Sequence, residues 1–223
     1  MKKSVLILMC LFLAGTTFTL KSQNMTQEEK NSYALGANVG ESFKASGLDV
    51  TFDAFKEGFM DALKGENKLT MEEMQACFED IQKKIEAKQK AEMDIEKERG
   101  RKFLAENKKR KGVNETSSGL QYEVIVMGTG AKPSTTDKVR VHYHGTTIDG
   151  EIFDSSVQRG EPIEFGLNQV IKGWTEGLQL MPIGSKYILY IPADLAYGEH
   201  SPSPMIKGGA TLIFEVELLD IPK

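Results

Sequence analysis

The chain has 223 residues and a formal net charge of -4, enough for one large or two modest domains, each able to bury its own core. The negative balance argues against nucleic acid as a partner, because such binding is dominated by neutralising phosphates with Lys and Arg. The single basic cluster, Lys108-Lys109-Arg110-Lys111, reads instead as cations answering the exposed carbonyls at a helix C-terminus.

At the N-terminus, Lys2-Lys3 precede the apolar stretch Val5 to Ala14 and then small and polar residues, the pattern of an export signal over residues 1–22. About ten apolar residues fall short of the ~20 that a membrane span needs, so export rather than anchoring is expected and the mature chain has no predicted span. Cleavage falls between Thr16 and Gln23, with the Ser22-Gln23 bond preferred. Cys10 has no small residue before it and a further apolar run behind it, so it is not expected to carry a lipid. After cleavage only Cys77 remains, and a single thiol cannot close an internal disulfide. A periplasmic or otherwise exported location is expected, with outer-membrane association left open.

Helical periodicity runs from Thr26 to Lys111, within a predicted helical dimerisation domain and connecting helix over residues 23–112. Thr26-Gln27-Glu28-Glu29 has capping-box spacing, so a helix begins there and ends at Gly47, which suits a left-handed cap. Gly36 and Gly40 form a small-residue notch where another helix could approach. A second helix spans Phe52 to Lys64, with Phe52, Phe55, Phe59 and Leu63 exceeding what one neighbouring helix covers. A third begins at the capping box Thr70-Met71-Glu72-Glu73 and carries Met74, Cys77, Phe78, Ile81 and Ile85 on one stripe. The apolar excess predicts a homodimer through residues 26–85, with this stripe as dimer core. Beyond Glu86 the stripe fades into charged residues, and no proline intervenes before Gly112. The helix could therefore run about 38 residues, or ~57 Å, as a solvated spacer with Gly100 as its bending point.

From Gly119 the period changes to two. Leu120, Tyr122, Val124 and Val126 alternate with Gln121, Glu123 and Ile125, as in a half-buried strand. Further strands are predicted over Asp137 to Thr147, Ile152-Phe153, Lys186 to Ile191 and Thr211 to Leu219, with Asp149-Gly150 as a type I′ hairpin turn. One short helix fits Trp174 to Leu180. The fold class is α+β: an all-helical N-terminal region with a long linking helix, then an antiparallel sheet curled around a short helix over residues 113–223.

Three sets of residues stand in this second half: Val141-His142-Tyr143 with Gly150-Glu151-Ile152-Phe153-Asp154-Ser155-Ser156, the run Val170-Ile171-Lys172-Gly173-Trp174, and Ala196-Tyr197-Gly198. In this order and spacing, from about Ser118 to Asp220, the chain resembles the FKBP-type peptidyl-prolyl cis-trans isomerases. Residues 26 to about 112 resemble the helical dimerisation region of the FkpA and macrophage-infectivity-potentiator branch of that family. The resemblance implies that Trp174 floors a pocket under a substrate proline, with Tyr143, Phe153, Val170, Ile171 and Phe214 as walls. It also implies that the Ile171 amide holds a substrate carbonyl, that Tyr197 donates its hydroxyl, and that Asp154 sits at the rim, either accepting from Tyr143 or polarising the surroundings of the twisted carbonyl. Taken singly, Trp174 is equally simple core, Tyr143 and Phe214 sheet packing, and Asp154 a turn acid.

Two departures from the family pattern stand out. Ile163 occupies a wall position that is often aromatic, and the loop before the last strand reads Met205-Ile206-Lys207-Gly208-Gly209 in place of a proline-rich form. Met205 and Ile206 remain candidate substrate contacts, and two glycines are expected to loosen that loop.

No cofactor and no metal are expected. His142 and His144 alternate on one strand face, but no carboxylate or cysteine run completes a metal site, and His200 falls in a loop. Gly40-Glu41-Ser42-Phe43-Lys44 lacks the closing glycine of a serine elbow, and Gly128-Thr129-Gly130 lacks the third glycine of a dinucleotide loop. The expected partners are proline-containing unfolded or partly folded polypeptides, and the expected activity is peptidyl-prolyl isomerisation with additional chaperone activity. The rival reading is a periplasmic holdase with a weak or inactive pocket.

Overall fold

The structure is a computed structural model that describes residues 25–222; the expected export signal lies outside them. The described residues form two compact units, the first ending at Ile81 and the second beginning at Gln82.

The first unit contains α1 (Gln27–Ser46), α2 (Phe52–Lys64) and the start of α3 (Met71–Asn107). Both predicted capping boxes form. The Thr26 hydroxyl accepts from the Glu29 amide while Glu29 Oε2 accepts from the Thr26 amide at 2.7 Å, and Thr70 and Glu73 repeat the device. Gly47 (φ 63°) and Gly65 (φ 74°) close α1 and α2 in the left-handed conformation. Phe43 and Phe55 meet edge to face at 5.3 Å. No residue of α1 or α2 is buried in the single chain. Phe52 and Leu63 are both 71% exposed, and a β-carbon added at Gly36 or Gly40 would meet nothing within 4 Å.

The second unit is built on β1 (Val113–Glu115), β2 (Gln121–Val126), β3 (Lys138–Thr147), β4 (Ile152–Ser155), β5 (Ile163–Gly166), β6 (Lys186–Ile191) and β7 (Leu212–Asp220), with a one-turn α4 (Ser156–Arg159) and α5 (Lys172–Leu180). The strands pair antiparallel in the order β1-β2-β6-β7-β3-β4. The far edge of β3 is shared, its first half pairing with β5 and its second with β4. Period-two patterning puts Val139, Val141 and Tyr143 of β3, and Leu212, Phe214, Val216 and Leu218 of β7, on the buried face under α5.

Three elements escaped the sequence reading, β1, β5 and α4, all too short to show a period. The hairpin turn also differs from type I′, which needs positive φ at both central residues. Only Gly150 has positive φ (83°), and its amide donates to the Thr147 carbonyl at 3.0 Å. This is a type I turn followed by a left-handed glycine, which leaves Asp149 in an ordinary conformation.

The larger difference concerns the end of α3, which is docked rather than solvated. Glu96, Gly100 and Asn107 are buried there, and the helix runs unbroken through Gly100. A methyl at Gly100 would collide with the Thr211 side chain, so this glycine serves close packing and not bending. Gln121, read as the solvent-facing partner in its strand, is fully buried. Its Oε1 accepts from Asn107 Nδ2 at 2.9 Å and its Nε2 donates to the Leu104 carbonyl at 3.0 Å. Across the ladder it lies opposite Tyr190, whose ring packs 6.0 Å from Phe103 and whose hydroxyl accepts from Arg110 Nη1 at 3.0 Å. Satisfied polar groups therefore carry much of this contact.

Replacing Asn107 by alanine strands the buried Gln121 carbonyl oxygen and removes one acceptor from the exposed Arg110. Urea unfolding is expected to show a loss of about 1–3 kcal/mol. A loss below ~0.5 kcal/mol would mean that this polar cluster does not hold the helix end.

Candidate functional site

The candidate site is a cavity of about 510 Å³ between the curled sheet, α5 and the loop linking β6 to β7. Its floor is Trp174, 5% exposed. The indole is set so deep because Gly173 and Gly177 face the sheet. A methyl at Gly173 would run into Ile191, and one at Gly177 would stand 2.7 Å from Leu189 Cδ1. Around the indole, Phe214, Tyr143 and Phe165 have ring centroids at 5.1, 5.2 and 5.2 Å, the first two edge-on. Among the described residues the indole N–H has no hydrogen-bond partner.

The wall opposite is shaped by a bulge. Gly145 pairs with Asp154 and Thr146 with Ile152, so Phe153 is the extra residue of β4. Without the bulge, alternation would send Phe153 and Asp154 to opposite faces; with it, both line the cavity. Gly145 leaves room for this, since a β-carbon there would lie 2.7 Å from Phe153 and 2.8 Å from Phe214.

At the rim the Tyr143 hydroxyl donates to Asp154 Oδ2, and Arg159 Nη1 donates to Asp154 Oδ1. Arg159 Nη2 also donates to the Tyr143 hydroxyl at 2.8 Å, and its guanidinium lies 5.6 Å from the centre of the Tyr143 ring. Ser155 presents Arg159 by capping α4, its hydroxyl accepting from the Gln158 amide at 3.2 Å. Burial by itself would raise the Asp154 carboxyl. Bonds from Tyr143 and Arg159, with the arginine charge, outweigh it and hold Asp154 below the ordinary aspartate value. Burial, then the bond to Asp154, pushes the Tyr143 phenol up. Burial and the Asp154 charge do the same to Tyr197.

Besides the indole N–H, the Ile171 amide and the Tyr197 hydroxyl at the cavity are without acceptors among the described residues. The Ile171 carbonyl receives the Trp174 and Thr175 amides at 2.9 and 3.1 Å, but the Ile171 amide makes no bond, and neither does the Tyr197 hydroxyl. Tyr197 is 39% exposed at the mouth.

Tyr143, Phe153, Asp154, Ile163, Val170, Ile171, Trp174, Tyr197, Ile206 and Phe214, all singled out in the sequence, therefore meet at one cavity. Met205 does not: it is 48% exposed and outside the lining, while its neighbour Ile206 turns inward at 6% exposure. The wall has its aromatic after all, in Phe165, two residues beyond Ile163 on the same face of β5. Sequence reasoning missed Phe165, Gln169, Pro202 and Ser203 in the lining, and Arg159 behind Asp154. Period-two spacing from Ile163 would have reached Phe165; no pattern marks the others. The two loop glycines sit against close neighbours: a β-carbon at Gly208 would collide with the Glu199 carbonyl oxygen, and one at Gly209 would stand 2.8 Å from the Met93 carbonyl oxygen. His142 and His144 face Ser156 and Ser155, with Nδ1 to Oγ distances of 3.1 and 3.0 Å.

An NMR titration of the Asp154 carboxyl is expected to give a midpoint below that of an ordinary aspartate, with Arg159→Ala moving it upward. Because the folded value is depressed, the stability this carboxylate contributes is present above its unfolded-state value and is lost as pH falls through the folded one. A midpoint at or above the ordinary value would show that burial wins.

The model of the FKBP-type peptidyl-prolyl cis-trans isomerases matches residues 129–219, and that of the domain amino terminal to FKBP-type peptidyl-prolyl isomerase matches residues 28–124. The FKBP-type peptidyl-prolyl cis-trans isomerase FkpA of Aeromonas hydrophila is 46% identical over 214 residues, covering 91% of this chain and 80% of the relative. The outer membrane protein MIP of Legionella longbeachae is 43% identical over 203 residues, covering 89% of this chain and 87% of the relative. The crystal structure of FkpA from Escherichia coli matches with a TM-score of 0.69 at 37% identity, covering 88% of this chain and 97% of that one. By sequence over most of its length, and by a fold that places the Trp174 cavity inside the matched isomerase segment, the chain belongs to the FKBP-type peptidyl-prolyl cis-trans isomerase family.

Proposed function

We propose that the Trp174 cavity catalyses X-Pro isomerisation in exported polypeptides without any covalent step. The observation that carries this reading is a pair of unpartnered donors, the Ile171 amide and the Tyr197 hydroxyl, beside an aromatic floor. Rotation about the X-Pro bond faces a barrier near ~18–20 kcal/mol because the twisting amide loses resonance. The planar amide is the more polar and better hydrated form, so a dry aromatic cavity favours the twisted one. The proline ring rests on Trp174, with Tyr143, Phe153, Val170 and Phe214 around it, and Ile163 and Ile206 at the edge. The Ile171 amide takes a substrate carbonyl and Tyr197 donates to the peptide. Asp154, neutralised by Arg159, fixes the Tyr143 ring and transfers no proton. Each tenfold of rate needs only about 1.4 kcal/mol of such preference, so a few aligned contacts suffice.

In a protease-coupled proline isomerisation assay, Tyr143→Ala, Asp154→Ala and Trp174→Ala are each expected to lower kcat/KM about tenfold or more, with far-UV dichroism confirming the fold. With Asp154 held low and Tyr143 and Tyr197 pushed up, no group of the site changes charge between about pH 5 and 9, and the rate should be flat there. Three unchanged rates, or a bell-shaped profile in that window, would remove this assignment.

The exposed aromatics of α1 and α2 support a second copy of the chain as their cover, through residues 26–85. Fully burying one such side chain is worth about 1.5–3 kcal/mol, and among the described residues no element of the first unit buries them. A dimer carrying two client sites would raise effective concentration for a long unfolded chain and add chaperone activity. Among the described residues no helix is long and apolar enough to cross a membrane. The Lys2-Lys3 and Val5 to Ala14 pattern, with a relative named as an outer membrane protein, supports a periplasmic location. Light scattering at micromolar concentration should report a dimer, and Phe52→Ser/Phe59→Ser a monomer; a monomeric parent chain excludes this assembly. Suppression of client aggregation should survive Trp174→Ala, and its loss there would count against a separate chaperone surface.

A further inference from the structure

The loop between β6 and β7 carries Tyr197, Pro202, Ser203 and Ile206 to the cavity. It is closed at its neck, where the Gly209 amide donates to the Gly198 carbonyl at 2.8 Å. Inside, the Ser201 hydroxyl donates to the Ile206 carbonyl at 2.7 Å. This neck rests on α3. A β-carbon at Gly209, which has φ 79°, would stand 2.8 Å from both the Met93 carbonyl oxygen and Lys97 Cγ. Lys97 Nζ donates to Glu199 Oε1 at 2.7 Å, and Lys207 Nζ lies 3.6 Å from Oε1 of the buried Glu96. One turn on, Gly100 lies against Thr211, where the chain enters β7.

We propose that Met93, Glu96 and Lys97 of α3 are positioning residues for the isomerase, holding the neck of the 198–209 loop and through it Tyr197 and Ile206 at the cavity mouth. All three lie outside the segment matched by the isomerase family, which begins at residue 129. The functional unit of this chain thus begins inside α3. Surface loops open readily unless tied to a packed element, and a displacement of ~1 Å in a contact group can cost ~100-fold in rate. The inference rests on the isomerase reading of the cavity.

The test uses the full chain and three variants: Lys97→Glu, Lys97→Glu/Glu199→Lys and Gly209→Ala. Proline-peptide isomerisation is measured alongside amide hydrogen exchange over residues 198–209. Lys97→Glu should lose about two- to fivefold in kcat/KM, the scale of an exposed ion pair, with an unchanged melting temperature. The charge swap should regain most of that loss, and Gly209→Ala should lose about tenfold or more. Loop exchange should speed up in both single variants. Rates within about twofold of the parent in both single variants overturn the proposal. So does a Lys97→Glu loss that the swap fails to recover, or loop exchange unchanged in both. A parent chain that does not isomerise the peptide defeats the reading of the cavity instead, and loop exchange then still decides whether α3 holds the loop.

Discussion

The pocket depends on how closely α5 approaches the sheet. A helix carrying ordinary side chains on its inner face would stand away from Leu189 and Ile191, and its tryptophan would rise with it. Gly173 and Gly177, one turn apart, remove that obstacle. Each is worth about 1 kcal/mol less than alanine for the helix itself, a cost the packing must offset. With the helix seated, the Trp174 indole reaches the level of Tyr143 and Phe214 on the buried face of the sheet, and the three rings make a floor with edge-to-face contacts.

Once the floor exists, the wall and rim divide the work between apolar and polar groups. The β4 bulge turns two adjacent residues, Phe153 and Asp154, to one side. Phe153 extends the apolar lining. Asp154 would be costly there as a bare charge, and it is tolerated because Tyr143 and Arg159 satisfy both oxygens at the half-exposed edge. The same network fixes the Tyr143 ring that helps line the cavity. The Ile171 amide and the Tyr197 hydroxyl remain, with the Trp174 indole N–H, as open donors, and a site with fixed, unpartnered donors needs no reorganisation when a carbonyl arrives.

The opposite face of the sheet is closed by different chemistry. The last turns of α3 lie over Gln121 and Tyr190 with few large apolar side chains, using Asn107, Arg110 and the Leu104 carbonyl instead. Buried polar groups are tolerated when paired and costly when not, so this contact specifies one register for the helix. Hydropathy cannot reveal such a face. The stretch reads as a solvated spacer because its charged residues are counted and its hydrogen bonds are not.

Much of this molecule was legible in the sequence. The three long helices, their capping boxes and glycine ends, and the main strands follow from interactions between residues a few positions apart, which local spacing records directly. The order of Tyr143, Phe153-Asp154, Val170 to Trp174 and Tyr197 was enough to name most of the lining, because those residues lie in elements whose order the family resemblance supplies. Tertiary structure alone decided the rest. The bulge at Phe153, the glycine contacts under α5 and beside Met93, the bond from Arg159 to the Tyr143 hydroxyl, and the burial of Gln121 beneath α3 each join residues distant in sequence or depend on cross-strand register. Their signal lies in distances between elements, which no period along the chain encodes.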